Sequence, residues 1–354
     1  MEKEMYTAIG LMSGTSLDGL DIVCANFCRS GDGWSYEITH ADSVDYTPEW
    51  RERLRGAFYL SGEALTALDA EYGRHLGRCV TEFVGRHGLA GVDFVASHGH
   101  TVFHRPDLGY NLQIGNGAHL HAACGLPVVC DFRTLDVAFG GQGAPLVPIG
   151  DRLLFPDYDF CLNIGGFANV SFDCGSARIA YDLCPANYTL NRLMRTRGKE
   201  YDEDGATARS GRVNRQLLEA LDALEYYHRP PPKSLAQEWV DAWVAPLVDG
   251  CDDSFENIAA TLTEHSARRI AAALRPASRV LVTGGGAYNG FLLERVREHV
   301  AAELVVPARA IVDFKEALIF AFLGLRRVLG FPNCLASVTG ATHDVSSGVC
   351  YGIA

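Results

Sequence analysis

The sequence lacks an excess of positive charge, a long apolar run and any Cys-x-x-Cys pair. Its 43 acidic residues outnumber 31 basic ones, which gives a formal net charge of −12 at pH 7. Such a chain attracts the phosphate backbone of nucleic acids poorly, so we expect no nucleic-acid partner. The longest apolar stretch near the end, residues 317–325, is too short to cross a bilayer, so we expect no membrane partner.

The cysteines support neither a zinc site nor a disulfide framework. There are 11 of them, an odd number, and they are scattered along the chain. Cys24, Cys130 and Cys161 lie within apolar runs, which is typical of small buried side chains. Residues 1–5 are charged and the next apolar run is only as long as a strand, so we expect no signal peptide. Together these features predict a cytoplasmic protein.

Apolar periodicity predicts an α/β chain of two domains. With 354 residues, 48% of them hydrophobic, the chain has enough material for two cores. Short alternating runs predict strands, and apolar residues recurring every three or four positions predict helices. The predicted strands are 6–9, 21–28, 34–43, 92–97, 126–131, 158–164, 170–172, 178–181 and 279–282, and the predicted helices are 48–59, 64–87, 187–197, 214–224, 255–274, 291–302 and 315–329. A polar, glycine-rich connection at 140–145 predicts the domain junction nearby.

A segment rich in glycine and hydroxyl groups follows the first predicted strand. Residues 10–21 have the sequence GLMSGTSLDGLD. Glycine lets the backbone approach a ligand closely, and Ser13, Thr15 and Ser16 offer hydroxyl donors. Asp18 would repel a bare phosphate but suits a phosphate that carries Mg²⁺. The segment lacks the lysine of a Walker P-loop, so it predicts a different kind of metal–nucleotide turn. An ordinary polar hairpin turn is the alternative.

Two later strands also end in glycine-rich turns. Gly165 and Gly166 lead into a returning strand, with Asn169 at its start, whereas Gly284, Gly285 and Gly286 open a helix. Two strand–turn–strand units half a chain apart predict two hairpins that clamp phosphates, and the third turn would then lie by the adenosine. A dinucleotide site of the Rossmann type is disfavoured, because its glycines belong at the first strand–helix turn.

These segments resemble, in kind and order, those of anhydro-N-acetylmuramic acid kinases, a family of the actin, Hsp70 and sugar-kinase superfamily. The resemblance runs from Ile9 to Gly340 and rests on GLMSGTSLDGLD (10–21), SHGHT (97–101), DFR (131–133), GGQGAPL (140–146), NIGGFAN (163–169) and GGGAYN (284–289). It implies two actin-like, ribonuclease H-like domains with a nucleotide cleft between them. The expected N-terminal domain is 1–133 plus about 331–354, and the C-terminal domain is 134–330.

The resemblance also implies a reaction. Water opens the 1,6-anhydro bridge of 1,6-anhydro-N-acetylmuramic acid, and O6 takes the γ-phosphoryl group of ATP, with Mg²⁺ as cofactor. Two alternatives stay open at this point: a kinase of the same superfamily that acts on another sugar, and an ATP-binding regulator without catalysis. A homodimer through the helices at 214–274 is compatible with the sequence, which does not decide the oligomeric state.

The residue roles follow from the matched motifs. Asp182 is expected to be the general base, although the family's Asp-Thr-Gly-Pro-Gly-Asn is here Asp-Leu-Cys-Pro-Ala-Asn (182–187). The expected ATP-binding residues are Gly10, Ser13, Gly14, Thr15, Ser16, Asp18, Gly165, Gly166, Asn169, Gly284, Gly285, Gly286 and Asn289, with Asp18 also serving the metal. The expected sugar-binding residues are His98, Thr101, Arg133, Gln142, Gly143 and Glu316.

Three of these residues have structural alternatives. His98 follows a buried strand and is equally typical of a satisfied structural histidine. Arg133 would either bind a carboxylate or phosphate through its planar fork or pair with Asp131 or Asp136. Glu316 would also be favoured by the dipole of a helix that begins beside it. At position 100 the family usually has Gln, where this chain has His.

Overall fold

The computed structural model describes residues 4–14, 17–31 and 33–353. Its strands are β1 (Met5–Ser13), β2 (Gly19–Ser30), β3 (Gly33–Asp45), β4 (Phe94–Ser97), β5 (His100–Arg105), β6 (Tyr110–Ile114), β7 (Val128–Cys130), β8 (Phe160–Ile164), β9 (Ala168–Cys174), β10 (Ala177–Cys184), β11 (Arg279–Thr283), β12 (Glu303–Val305) and β13 (Val349–Tyr351).

The helices complete the set of elements. They are α1 (Pro48–Gly56), α2 (Gly62–His87), α3 (Gly117–Cys124), α4 (Thr134–Ala138), α5 (Val147–Leu154), α6 (Ala186–Arg195), α7 (Ala206–Ser210), α8 (Arg215–Asp222), α9 (Gln237–Trp239), α10 (Ala245–Asp249), α11 (Phe255–Ala273), α12 (Gly290–His299), α13 (Arg309–Val328) and α14 (Ala336–Thr339). Shorter 3₁₀ turns lie at Ala57–Tyr59, Pro106–Leu108, Glu203–Gly205, Glu225–His228 and Gly285–Tyr288, with a π turn at Val240–Val244. In the part of the chain that the structure describes, no helix is both long and apolar enough to cross a membrane.

Unit 1 consists of Met1–Leu154 and Phe314–Ala354. Its sheet has the order β13-β7-β4-β1-β2-β3, in which β1, β2 and β3 form an antiparallel meander. β4 runs parallel to β1 and β7 runs parallel to β4, whereas β13 closes the edge in the antiparallel direction. The apolar face of α2 joins this core through residues such as Leu68, Tyr72 and Leu76, at the three- and four-residue spacing of a helix.

Unit 2 consists of Phe155–Asp313. Its sheet has the order β10-β9-β8-β11-β12, again an antiparallel meander of β8, β9 and β10 followed by two strands parallel to β8. Residues of β8 and β11, among them Leu162 and Val282, form its core with α11 and α12. A second apolar cluster lies among α6, α8, α10 and α11.

The two units therefore repeat one strand order, a meander of three strands extended by parallel strands on the side of its first strand. This repetition confirms the predicted α/β class with two ribonuclease H-like domains. The sequence signals for it were the two strand–turn–strand segments, which the structure identifies as β1–β2 and β8–β9.

The division between the units differs from the expected boundaries. Residues 134–154 and 314–330, expected in the C-terminal domain, belong to unit 1. Their contacts explain this: Thr339 donates a hydrogen bond to Asp136, and the Lys315 ammonium lies 3.1 Å from Asp151 Oδ1. Gly150 lies so close to Ile319 that a Cβ would stand 2.6 Å from its Cγ2.

The predicted elements are confirmed with small shifts at most of their ends, but the short helices α3, α4, α5, α7, α9, α10 and α14 and four strands were not predicted. The β5–β6 hairpin was not predicted: β5 mixes polar and apolar residues without clear alternation, and the alternating pattern of β6 was overlooked. The short strands β12 and β13 were also missed, since three residues give no periodic signal. Helix α13 begins at Arg309 rather than at residue 315; Arg309 and Asp313 interrupt the apolar residues of its first turns, which obscured its start. Glu316 is therefore not in its first turn, and the explanation by the helix dipole is wrong.

Candidate active site

The turn after β1 begins with a buried serine. Ser13 is the last residue of β1 and only 2% exposed, and its Oγ accepts a hydrogen bond from the Tyr46 hydroxyl at 2.8 Å. The Gly14 carbonyl accepts from the Leu17 N–H at 3.4 Å, which closes the turn. Thr15 and Ser16, expected at the phosphates, lie outside the described residues.

Gly10 has a packing role. It is buried within β1, and a Cβ there would stand 1.9 Å from the Ala317 carbonyl oxygen of α13. Only glycine permits this approach of strand and helix. The structure thus accounts for Gly10 without a nucleotide, and it brings β1 against the helix that carries Glu316.

Asp18 presents an exposed carboxylate beside the turn. Its backbone carbonyl accepts from the Tyr46 N–H at 3.3 Å, which ties the turn to the end of β3. The described residues contain no group of three His, Cys, Asp or Glu side chains able to hold a metal. Mg²⁺ is often held by one or two carboxylates together with waters and substrate phosphates, and the Asp18 carboxylate is of this kind.

Arg133 is the centre of the expected sugar site. Its Nε and Nη2 approach His98 Nε2 at 3.1 and 2.9 Å, and its Nη1 donates to the Gly143 carbonyl at 2.6 Å. His98 Nδ1 lies 2.9 Å from the Gly99 carbonyl, so His98 carries its proton there and accepts from Arg133 at Nε2. Burial holds the pKa of His98 well below its usual value, which keeps the ring neutral.

These contacts bear on the structural alternatives for His98 and Arg133. His98 is a satisfied histidine, as the structural interpretation holds, and its partner is the guanidinium of the same predicted site. Asp136 does not pair with Arg133; it is buried and accepts from the Gly143 N–H at 2.8 Å and the Thr339 hydroxyl at 2.7 Å. Asp136 therefore fixes the loop whose carbonyl receives Arg133.

The surroundings of three further sugar-site candidates differ from one another. Gln142 is exposed on the loop, and its backbone N–H donates to the Thr339 carbonyl at 2.8 Å, so its side chain faces solvent from a fixed backbone. Thr101 is the second residue of β5, and its Oγ1 accepts a hydrogen bond from Gln113 Nε2 at 3.4 Å. Gly143 is buried and supplies its backbone to Arg133 and Asp136.

Glu316 combines solvent access with an unusual environment. Its side chain reaches solvent, but surrounding protein displaces most of the bulk water, and this burial raises the pKa of its carboxyl. The positive charges of Lys315 and Arg133 oppose that rise. Conversely, burial lowers the pKa of the Arg133 guanidinium, and the negative charge of Glu316 opposes that fall. The two residues thus stabilise each other's charged forms in unit 1.

In unit 2, four polar residues form a row across the sheet. Asp182 on β10 pairs with Asn169 on β9, Asn169 with Asn163 on β8, and Asn163 with Thr283 on β11. Residues directly opposite in neighbouring strands point to the same face. The structure therefore brings the expected base and the expected phosphate hairpin of this unit together at one end of its sheet.

Asp182 is fixed by contacts that the sequence did not reveal. Its Oδ2 accepts from the Leu235 N–H at 2.8 Å, and its backbone carbonyl accepts from the Tyr226 hydroxyl at 2.7 Å. Within residues 4–14, 17–31 and 33–353, nothing donates a hydrogen bond to Oδ1. Burial raises the pKa of the carboxyl, and the Leu235 hydrogen bond opposes the rise. Leu235 and Tyr226 carry no motif, so only the folded chain identifies them.

The residues after Asp182 that differ from the family motif are part of the core. Leu183, Cys184 and Ala186 are 4%, 0% and 5% exposed and belong to the apolar cluster of unit 2. None of them has a positive φ, since β10 continues through Cys184 and α6 begins at Ala186. The glycines of the family motif are thus replaced by side chains that fill space beneath the site without backbone strain.

The two glycine-rich turns of unit 2 pack against each other. A Cβ at Gly284 would stand 2.8 Å from Asn163 Oδ1, and one at Gly286 would stand 2.2 Å from Ile164 Cγ2, so packing requires both glycines. At Gly165 a Cβ would meet only ordinary contacts at 3.5 Å, and at Gly285 it would meet open space. Gly166 is likewise uncrowded, with its nearest neighbour at 3.8 Å.

Asn289 is a helix cap. It is 7% exposed, and its Oδ1 accepts from the Leu292 N–H at 2.9 Å at the start of α12. This structural role accounts for Asn289 without a nucleotide. The uncrowded glycines Gly165, Gly166 and Gly285 are thus the members of these turns whose identity packing leaves unexplained.

The comparisons with known proteins agree over nearly the whole chain. The family model described as "Anhydro-N-acetylmuramic acid kinase" matches residues 6–352. Proteins of that name from Methylorubrum populi and Methylobacterium nodulans are both 38% identical to this chain, over 98% and 97% of it and 98% of each relative. The one from Aliivibrio fischeri is 34% identical over 98% of this chain and 99% of its own length. Among solved structures, component A of (R)-2-hydroxyglutaryl-CoA dehydratase from Acidaminococcus fermentans covers 89% of this chain and 96% of its own length. The likeness is distant, at 14% identity and a TM-score of 0.46. The chain belongs to the anhydro-N-acetylmuramic acid kinase family.

Proposed function

We propose that this chain is an ATP-dependent kinase that opens the 1,6-anhydro bridge of 1,6-anhydro-N-acetylmuramic acid with water and phosphorylates O6. The product is N-acetylmuramic acid 6-phosphate, an intermediate of peptidoglycan recycling. The family match over residues 6–352 and the name shared by full-length relatives support this activity. The observation that carries the chemistry is the Asp182 carboxylate, with one oxygen held by the Leu235 amide and the other left for a water.

The bonds change in a simple order. Asp182 takes a proton from the water, the water oxygen bonds to C1 of the sugar, and the C1–O6 bond breaks. O6 then bonds to the γ-phosphorus of ATP, and ADP departs as its bond to that phosphorus breaks. Burial raises the pKa of Asp182 above its usual value, which makes its ionised form a stronger proton acceptor. A carboxylate that activates water opposite a leaving oxygen is the arrangement of inverting glycoside hydrolysis.

The sugar carboxylate has a matching partner in Arg133. Contacts to His98 and Gly143 hold the guanidinium plane, and they leave further N–H groups of Nη1 and Nη2 for a ligand. A planar fork fixed in this way binds a carboxylate in two-point fashion. We propose that Gln142, Thr101 and Glu316 supply further polar contacts to the sugar.

For ATP we propose the turn from Ser13 to Asp18 together with the turns at Gly165–Gly166 and Gly284–Gly286. The open space beside Gly165, Gly166 and Gly285 suits close approach of a ligand to the backbone. The exposed Asp18 carboxylate fits water-bridged Mg²⁺ held mainly by phosphates. Bound Mg²⁺ would neutralise phosphate charge, which is the main electrostatic requirement of phosphoryl transfer.

The remaining proposals concern the setting of the enzyme. The described cysteines are all free, which suits the reducing cytoplasm that we propose as its location. We propose no nucleic-acid or membrane partner, on the net charge of −12 and the short apolar runs. Sedimentation of the purified chain tests the homodimer that the sequence leaves open.

The decisive experiment is ADP release from the purified chain with MgATP, with and without 1,6-anhydro-N-acetylmuramic acid, followed by mass analysis of the product. We expect release that depends on the sugar and a product heavier than the sugar by one water and one phosphoryl group. Bound ATP without stimulation by this sugar would contradict the proposal and favour another acceptor.

One observation favours a second candidate, a kinase of the same superfamily for a different sugar. The core side chains Leu183, Cys184 and Ala186 replace smaller residues of the family motif directly after the expected base. A panel of anhydro and free sugars in the same ADP assay separates the two candidates. If none of these sugars stimulated ADP release, the result would favour the ATP-binding regulator.

A further inference from the structure

A buried chain of hydrogen bonds ends at Ser13. Tyr46 is 3% exposed and its hydroxyl donates to Ser13 Oγ at 2.8 Å, while His100 is 4% exposed and its Nδ1 lies 3.3 Å from the same oxygen. The hydroxyl of the fully buried Tyr72 contacts the Tyr46 hydroxyl. These residues come from separate elements of unit 1: the end of β1, the segment after β3, helix α2 and the start of β5.

The backbone fixes His100 in this place. Gly99 has φ 73°, and a Cβ there would stand 2.6 Å from the Ile114 carbonyl oxygen, so the turn before His100 requires glycine. The His100 ring also lies nearly perpendicular to the Tyr72 ring, with ring centroids 6.5 Å apart and planes at 80°. The imidazole is therefore held from two sides with its Nδ1 towards Ser13.

The donors and acceptors can be counted. Tyr46 has one hydroxyl proton, which goes to Ser13, so its oxygen accepts the proton of Tyr72. Burial raises the pKa of both tyrosines, and it lowers the pKa of His100 to about 4, so all three side chains are neutral near pH 7. Ser13 thus has one lone pair occupied, and it retains its own proton and a second lone pair for His100 and a ligand.

The ligand decides between the two tautomers of His100. Phosphoryl oxygens only accept hydrogen bonds, so a serine that binds them must donate its proton. Resting on the function proposed above, we propose that Tyr46 and His100 are positioning residues: both donate to Ser13 Oγ and direct its proton to a phosphoryl oxygen of ATP. A hydroxyl that receives two hydrogen bonds is polarised and becomes a better donor itself.

Kinetics of substituted enzymes test this proposal in the sugar-dependent ADP assay. Tyr46→Phe keeps the ring but removes the donor, and we expect kcat to fall ~10-fold, the loss typical of one hydrogen bond of ~1.4 kcal/mol in the transition state. KM for the sugar should stay within ~2-fold, because uniform binding is not affected. In a Ser13→Ala background Tyr46→Phe should have no further effect on kcat, since it acts through Ser13.

His100 offers a conservative pair. The amide nitrogen of His100→Asn lies close to the position of Nδ1 and donates in its place, so most of kcat should remain, whereas His100→Leu should resemble Tyr46→Phe. Tyr227→Phe is the matched control, because within the described residues the Tyr227 hydroxyl has no hydrogen-bond partner. The positioning role is overturned if Tyr46→Phe lowers kcat equally in the wild-type and Ser13→Ala backgrounds, or does not lower it at all. Either result leaves the proposed kinase activity standing.

A spectroscopic readout is independent of turnover. In ¹⁵N-histidine-labelled protein with a bound, non-hydrolysable ATP analogue, His100, assigned through His100→Asn, should show a protonated Nδ1. An unprotonated Nδ1 overturns the proposal even if the chain fails to act on the expected sugar. Failure of wild-type turnover with a protonated Nδ1 would count against the proposed substrate alone.

Discussion

Asp182→Asn should strongly reduce turnover while leaving nucleotide binding unchanged. Asparagine has nearly the shape of aspartate and keeps an oxygen that can accept from the Leu235 N–H, which lies 2.8 Å from Asp182 Oδ2 in the wild-type chain. The loop at Leu235 and the pairing of residue 182 with Asn169 should therefore persist. It cannot take a proton from water at neutral pH. Loss of a general base typically costs ~10²–10⁴ in rate, or about 3–5 kcal/mol in the barrier, so kcat for sugar-dependent ADP release should fall by that factor. The dissociation constant of MgATP, measured by calorimetry, should stay within ~2-fold.

The pH profile gives the same prediction a second test. Because burial raises the pKa of Asp182, wild-type kcat should fall as the pH drops through a value above that of an ordinary aspartate, where the base becomes protonated. The residual activity of Asp182→Asn should lack this acidic limb. Asp159→Asn is the matched control: Asp159 also accepts from backbone amides, of Ser278 and Arg279, but it precedes β8 at the opposite end of the sheet. Near-normal kcat in Asp182→Asn would refute the role of Asp182, and loss of ATP binding would show that the substitution had damaged the site.

Three further predictions follow from the same structure. Gly10→Ala should lower the free energy of unfolding, measured by urea titration, by ~1–3 kcal/mol, because its Cβ would overlap the Ala317 carbonyl. Unchanged stability would mean that β1 and α13 do not approach so closely. Gly165→Ala should leave stability unchanged, since its Cβ meets only ordinary contacts, but should raise KM for ATP; an unchanged KM would remove this turn from the nucleotide site. The first-formed product should have inverted configuration at C1, as observed by NMR before mutarotation, and a retained anomer would contradict single displacement by water.

Much of the fold followed from local patterns. The strands around residues 10 and 165 were predicted because alternating apolar residues flank glycine-rich turns, and both proved to be antiparallel pairs that begin the sheets of the two units. Helix α2 was predicted nearly to its ends from its apolar stripe, and in the structure Ser61 caps its start and Gly88, at φ 60°, ends it. Local signals failed for the domain boundaries, because the membership of residues 134–154 depends on distant partners such as Thr339 and Lys315.

The candidate site divides in the same way. The sequence alone determined which residue types are present: the Asp182 carboxylate, the Arg133 guanidinium, the glycine turns and the Asp18 carboxylate. Only the tertiary structure decided how they act, because a hydrogen bond depends on distances between residues far apart in the chain. It showed that Gly10 serves packing and Asn289 serves capping, and it joined Arg133 to His98. It also identified the contacts of Tyr46 and Leu235, which no motif marks, and of His100, which lies in the SHGHT motif but had no expected role. A motif records which side chains a reaction needs, whereas orientation, burial and the resulting pKa arise from neighbours that only folding brings together.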